Sequence, residues 1–162
     1  MEVYIADCSM IKFGEYKETL SELLVLAGKQ IVERTKKNID KIIVATYAPE
    51  EFVGQANLPV YVASELGLAG CRAIEVDTTS SAGAAAFHQA CIEILSGISE
   101  RILVIAGQKM RHLPTEKTTE ILARVLSPTE FALGSTMVSL AAYVTKEYLD
   151  RYHIPYTILS EL

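Results

Sequence analysis

The chain has 162 residues, of which half are apolar, and its formal net charge is −5. This length fits one domain with a substantial core, and the composition is that of an ordinary globular protein. Because the charge is negative and no basic stripe is present, the sequence argues against nucleic acid as a main partner.

The cysteines and histidines are scattered. Cys8, Cys71 and Cys91 stand far apart, and the three histidines occur singly. This spacing disfavours a zinc site and suits reduced, partly buried thiols in a cytosolic protein. No leader pattern opens the chain, and no apolar run reaches the roughly 18 residues that a membrane span requires. A cytoplasmic location is therefore expected.

Short apolar runs alternate with helical patterns along the first two thirds of the chain. The first helix has a capping box, Thr19-Leu20-Ser21-Glu22, and Asn57 is the predicted cap of the second. Such alternation predicts βαβ units, hence an α/β fold with a mostly parallel βαβαβαβ sheet and helices on both faces. Strands are predicted at residues 3–8, 41–46, 71–77 and 101–107, and helices at residues 20–31, 57–67 and 81–95.

The last third of the chain has a different character. Helical patterns cover residues 115–126 and 136–152, and no strand pattern separates them. We therefore expect an α/β domain over residues 1–110 and a helical segment over residues 111–162. The final apolar run, residues 158–162, lacks a capping signal or a polar tail, so a truncated end is expected.

Candidate sites lie where strands lead into helices, because ligands of parallel α/β sheets gather at the carboxyl ends of strands. Residues 10–16 form a long loop, and residues 48–54 contain acids that would repel phosphate. No Gly-x-Gly-x-x-Gly or Gly-Lys-Ser/Thr motif is present, which disfavours the usual nucleotide folds. A flavodoxin-like small-molecule binder remains an alternative, because the fold pattern alone permits it.

The third junction, Val76 to Ala86, is crowded with small side chains. One interpretation is structural: Ser80 or Ser81 caps the helix, and Gly83 and the alanines allow tight packing. The Gly-x-Ser-x-Gly elbow of hydrolases is absent. The junction also resembles the nucleophile segment of the thiolase superfamily, Cys-x-Ser-Gly or Cys-x-Thr-Gly, and the Val-Asp-Thr-Ala-Cys-Ser-Ser-Ser segment of ketosynthases. Both likenesses place Ser80 on the family's cysteine.

The resemblance extends along nearly the whole chain. Residues 11–14 are similar to the Thr-Lys-Phe-Gly of archaeal and sterol-carrier-type thiolases, and residues 54–57 with 65–68 fit their second helix. Residues 105–110 resemble the Gly-x-Glu-Lys-Met that closes strand four, with Gln108 in place of Glu. Residues 131–134 and 143–152 resemble the start of the thiolase loop domain, which favours thiolases over ketosynthases.

The resemblance implies the N-terminal half of an acyl-coenzyme A C-acyltransferase involved in lipid metabolism. It places Ser80 at the nucleophile position, with its backbone N–H in an oxyanion site. A coenzyme A thioester would be the substrate, and no permanently bound cofactor is implied. It also implies a homodimer through the edge strand at residues 71–77, and a C-terminal thiolase-half chain as a possible partner.

Two departures from the family indicate a chain that is inactive alone. A thiol needs only about 2 kcal/mol of help to ionise at neutral pH, and a helix N-terminus supplies up to about 1 kcal/mol. A serine hydroxyl needs roughly 12 kcal/mol, so it requires a paired base. The family's later histidine and second cysteine have no match in this sequence. The alternative function is a non-catalytic thiolase-like subunit or assembly module that needs a partner chain.

Two local histidines are candidates for a base that serves Ser80. His88 lies eight residues further along the predicted helix, about 12 Å away, which is typical of a packed or surface helix residue. His112 follows the fourth predicted strand, at the end of the sheet where chemistry is expected. It is the best local base candidate, although most loop histidines are simply solvated.

Overall fold

The computed structural model describes residues 2–35 and 38–160, and it divides the chain into two compact units, Met1–His112 and Leu113–Leu162. The first unit holds a parallel sheet. Its strands are β1 (Lys41–Ala45), β2 (Arg72–Val76) and β3 (Ile102–Ala106), and its helices are α1 (Leu20–Thr35), α2 (Pro49–Val53), α3 (Leu58–Glu65) and α4 (Ala82–Leu95).

The second unit is helical throughout its described part. It contains α5 (Thr115–Ala123), α6 (Pro128–Ala132) and α7 (Met137–Arg151), followed by a 3-10 turn over Tyr156–Ser160. Capping boxes start two of these helices: Ser127 with Glu130 at α6, and Thr136 with Ser139 at α7. The sequence pattern located α5 and α7, whereas the five residues of α6 are too few to show a helical period.

The sheet has the order β2-β1-β3, with both pairs parallel. Lys41 is level with Arg72 on one side and with Ile102 on the other, so the three strands start together. This confirms the predicted α/β class with a mostly parallel sheet, while reducing the number of strands from four to three.

Residues 3–8, which the sequence predicts as the first strand, pair with no strand of the described sheet. Instead, Arg34 at the end of α1 donates to both carboxylate oxygens of Asp7 at 2.8 and 3.1 Å, and to the Cys8 carbonyl. The side chains of Tyr4 and Ile5 are 76% and 72% exposed. The strand prediction was wrong because a run of apolar residues does not reveal a distant arginine that binds the chain outside the sheet.

Helices cover both faces of the sheet, as predicted. On one face α1 and α3 pack on alternate residues of β1 and β3, among them Ile42, Val44, Leu103 and Ile105. The other face carries α4, whose buried Ala82, Ala86 and Ala90 recur every four residues and therefore form one stripe. Small side chains in this stripe let α4 lie close to Ile43 and Ala45 of β1, which confirms the tight packing inferred from the sequence.

Helix starts were predicted with mixed success. Thr19 and Glu22 form the expected capping box, with Thr19 N to Glu22 Oε2 at 2.7 Å and Glu22 N to Thr19 Oγ1 at 3.3 Å. Asn57 stands at the N-cap of α3, but its side chain makes no capping hydrogen bond because its backbone is left-handed, with φ of 57°. A proline at the start of α3 already removes one of the N–H groups that a cap would satisfy.

Candidate functional site

Three loops meet at the carboxyl end of the sheet, and the one after β2 presents Ser80. Ser80 is the middle residue of a single 3-10 turn, Thr79–Ser81, that leads directly into α4. It is exposed, and its hydroxyl has no hydrogen-bond partner within residues 2–35 and 38–160. The sequence-based suggestion that Ser80 or Ser81 caps α4 was wrong: Ser81 donates backwards, to the Thr78 carbonyl at 2.8 Å.

The turn before Ser80 is strained. Thr79 has φ of 53°, a left-handed conformation that is unfavourable for a β-branched residue and costs on the order of 1–3 kcal/mol. The backbone N–H of Thr79 donates to Asp77 Oδ1 at 3.1 Å, and the N–H of Ala82 donates to the Thr79 carbonyl. These bonds hold the peptide on either side of residue 80 while leaving its side chain free.

Asp77 also reaches the loop after β1. Its second oxygen, Oδ2, accepts from the backbone N–H of Ala48 at 2.9 Å. Ala48 is left-handed as well, with φ of 42°. One carboxylate therefore holds two residues with positive φ, one in each of two neighbouring loops.

Gln108, in the loop after β3, holds the same β1 loop from the other side. Its Oε1 accepts from the Thr46 hydroxyl at 2.7 Å and from the Tyr47 N–H at 3.0 Å, and its Nε2 donates to the Tyr47 carbonyl at 3.2 Å. A glutamate, which the resembled family has here, would accept two of these bonds but is unable to donate the third when ionised.

His112 lies beyond β3 and is bound to backbone. Its Nε2 is 2.9 Å from the Phe52 carbonyl in α2, and because a carbonyl only accepts, Nε2 carries the proton. Only in the neutral form of the ring would Nδ1 be an acceptor. No hydrogen bond joins His112 to Ser80 in the described part of the chain, and His88 is an exposed residue of α4. The structure thus brings both predicted residues to the same end of the sheet without pairing them.

The β2 side of the site is acidic. The pKa of Glu75 is raised above its usual value, first by partial burial and then by the nearby carboxylates of Glu50 and Asp77. Negative charge at this end of β2 opposes the formation of a further anion nearby, which makes ionisation of a serine hydroxyl still less favourable.

A cleft of about 1360 Å³ runs along the outer edge of β3. Its walls are α1, α4 and residues 3–17, and Gln108 and His112 border it, whereas Ser80 does not. Cys8 and Cys91 also line it; Cys91 is partly buried, as expected for the thiols from the sequence, whereas Cys8 is exposed. The chain segment that was predicted to pair in the sheet, including Cys8, forms the outer wall instead.

Within residues 2–35 and 38–160, no group of three or more potential ligands is arranged to hold a metal ion. In the same residues, no helix has the length and apolar character that a membrane crossing requires.

The fold and the site together define an α/β domain that presents a serine hydroxyl at the start of a helix, at the carboxyl end of a parallel sheet. Residues 3–159 match the protein family described as thiolase, N-terminal domain. The chain belongs to this family, as the motif resemblance predicted.

Two similar proteins carry the same name. An acetyl-CoA acetyltransferase from Methanocaldococcus jannaschii is 29% identical over 163 residues, an alignment that covers 98% of this chain and 41% of that protein. The structure of an acetyl-CoA acetyltransferase from Syntrophomonas wolfei superposes with a TM-score of 0.49 at 22% identity, covering 54% of this chain and 23% of that one. The chain therefore spans about two fifths of the length of its archaeal relative.

Proposed function

We propose that this chain is the front half of a thiolase-like acyl-coenzyme A C-acyltransferase, with Ser80 at the nucleophile position, and that it does not turn over substrate alone. The observation that carries the proposal is the exposed Ser80 hydroxyl at the start of α4, to which no base among the described residues is hydrogen-bonded. In this proposal the substrate is a coenzyme A thioester, no cofactor is permanently bound, and the setting is cytoplasmic lipid metabolism.

The proposed chemistry depends on what surrounds residue 80. An acyl group would pass from the thioester to the side chain at this position, and the N-terminus of α4 would stabilise negative charge on the oxyanion. His112 is the local candidate base through Nδ1, but no hydrogen bond connects it to Ser80. Because a serine needs such a base, the missing activating groups would have to come from outside these 162 residues.

A second candidate function, an assembly module without catalysis, is favoured by the edges of the sheet. In the described sheet β2 and β3 each have one strand neighbour, so their outer backbone groups are open to pairing. We propose that β2 pairs with its twin in a homodimer, and that a chain carrying a C-terminal thiolase half covers the edge of β3. An isologous contact of this kind closes an edge with twofold symmetry.

The nucleophile position can be tested with a thiol. In a Cys8→Ser background, which removes the exposed native thiol, Ser80→Cys is expected to react with iodoacetamide faster than Cys71 and Cys91. Residue 80 is exposed at a helix N-terminus, which favours the thiolate, whereas burial raises the pKa of Cys71. Labelling at neutral pH, followed by peptide mass analysis, gives the rate at each position.

Ser96→Cys is the matched control, because Ser96 is an exposed serine at the opposite end of the same helix. There the helix dipole disfavours the thiolate, so residue 80 should react about fivefold faster or more. Equal labelling rates at positions 80 and 96 would show that the helix N-terminus does not increase the reactivity of a thiol at position 80. That result would contradict the proposed nucleophile position.

The proposed dimer has its own test. Light scattering on the native chain should give twice the mass of one chain. Arg72 donates to the Asp40 carbonyl and Val76 accepts from Thr46 N–H, so alternate residues of β2 face β1 and the N–H of Ala73 faces the outer edge. Ala73→Pro removes this outer donor and should shift the mass towards one chain. Far-UV circular dichroism on the same variant checks that the fold survives. A native chain that is folded and monomeric at micromolar concentration would rule out pairing through β2.

A further inference from the structure

The carboxylate of Asp77 joins the two strained loops of the site. Oδ1 accepts from Thr79 N at 3.1 Å and Oδ2 accepts from Ala48 N at 2.9 Å, and both donors belong to residues with positive φ. Neither alanine nor threonine adopts this conformation readily, so each needs a bond that holds it. Asp77 supplies one such bond to each.

The second support of this arrangement is Gln108. Its three hydrogen bonds fix Thr46 and Tyr47, directly before Ala48. A continuous chain of contacts therefore runs from the loop after β3, through the loop after β1, to Asp77 and Thr79 in the loop after β2. Residue 80 is the next residue along, and its own side chain takes no part in the chain of contacts.

We propose that Asp77 is a positioning residue that acts through the Thr79 and Ala48 amides to hold residue 80 at the N-terminus of α4. This inference rests on the proposed function, in which residue 80 is the nucleophile position. It assigns Asp77 a role opposite to the one its charge alone would have. A carboxylate near residue 80 disfavours an anion there, whereas a carboxylate that holds the turn favours it by keeping the residue at the helix end.

The charge of Asp77 and its hydrogen bonds have opposite effects on an anion at residue 80, and substitutions can separate the two effects. In the Cys8→Ser/Ser80→Cys protein, Asp77→Asn keeps one acceptor oxygen and loses the other, because its NH₂ group only donates. The rate of iodoacetamide labelling at residue 80 is expected to fall about fivefold at neutral pH, and the midpoint of its pH profile to move upwards. Glu75→Gln, which removes a neighbouring carboxylate that bonds to neither amide, should leave the rate equal or faster.

A rescue variant separates positioning from a general loss of structure. Glycine adopts positive φ without strain, so Thr79→Gly should remove the need for the Asp77 bond. Labelling in the Asp77→Asn/Thr79→Gly protein should return to the rate of the Cys8→Ser/Ser80→Cys protein. If Asp77→Asn alone does not fold, the folded Asp77→Asn/Thr79→Gly protein still tests the proposal. A labelling rate that stays about fivefold below that of the Cys8→Ser/Ser80→Cys protein overturns the proposal.

The outcomes also separate the inference from the proposed function. A thiol at position 80 that labels no faster than one at position 96 contradicts the nucleophile position itself. A fast thiol at position 80 that is unaffected by Asp77→Asn, or is accelerated by it as by Glu75→Gln, overturns only the positioning role of Asp77.

Discussion

Glu93→Leu is expected to lower the free energy of unfolding by about 3–5 kcal/mol, because it leaves the buried ammonium of Lys41 without its charge partner. The two side chains are 8% and 9% exposed, and Lys41 Nζ lies 2.5 Å from Glu93 Oε1. Gln89 donates to the same oxygen at 3.0 Å. Urea denaturation of the native and variant chains, followed by circular dichroism, measures the difference.

Two further variants test whether the loss comes from the unpaired charge. Lys41→Met/Glu93→Leu removes both charges and should recover most of the loss, since apolar pairs of similar volume replace buried ion pairs at little cost. Glu33→Leu breaks the exposed pair with Lys29, whose side chains are more than 60% exposed, and should change stability by less than about 1 kcal/mol. Similar losses in Glu93→Leu and Glu33→Leu would contradict the role of burial.

The same pair makes the fold sensitive to acid. The pKa of Glu93 is lowered in the folded chain, chiefly by the hydrogen bond from Gln89 and then by that from Lys41. A lowered pKa contributes stability above the unfolded value, near pH 4.3 for glutamate, and this contribution is lost as pH falls through the folded value. Below about pH 4, the native chain should therefore lose stability more steeply than the Lys41→Met/Glu93→Leu chain.

Much of the fold follows from hydrophobic periodicity. The runs at β1, β2 and β3 and the helical repeats of α1 and α4 are long enough for their periods to identify them. The predicted strand at residues 3–8 failed because its partner, Arg34, lies 27 residues from Asp7 along the chain. Local patterns hold no information about such a contact, and five-residue helices such as α2 are shorter than two turns.

The candidate site was predictable only in part. Ser80 is a candidate nucleophile position because its small-residue neighbours and Gly83 resemble a known motif, and such a motif can be seen in the sequence alone. The roles of Asp77 and Gln108 depend on backbone amides of another loop, Ala48 and Tyr47, and on left-handed conformations at ordinary residues. Neither feature can be predicted from the sequence, which shows only that Gln108 stands where the resembled family has glutamate.

The native chain is expected to show no catalytic activity. Ionising the Ser80 hydroxyl at neutral pH requires roughly 12 kcal/mol, and the N-terminus of α4 offers up to about 1 kcal/mol. The remaining cost calls for a general base, yet in the described residues no base is hydrogen-bonded to Ser80, and His112 donates to the Phe52 carbonyl. The nearby carboxylate of Glu75 increases the cost further.

Thiolysis of acetoacetyl-coenzyme A by the purified native chain tests this most directly. The consumption of the thioester should equal the buffer rate for the native chain, for Ser80→Ala and for the control Ser96→Ala. Turnover above the buffer rate that survives Ser96→Ala and disappears in Ser80→Ala would contradict the account, because it would show that the serine and this chain's own residues suffice for acyl transfer.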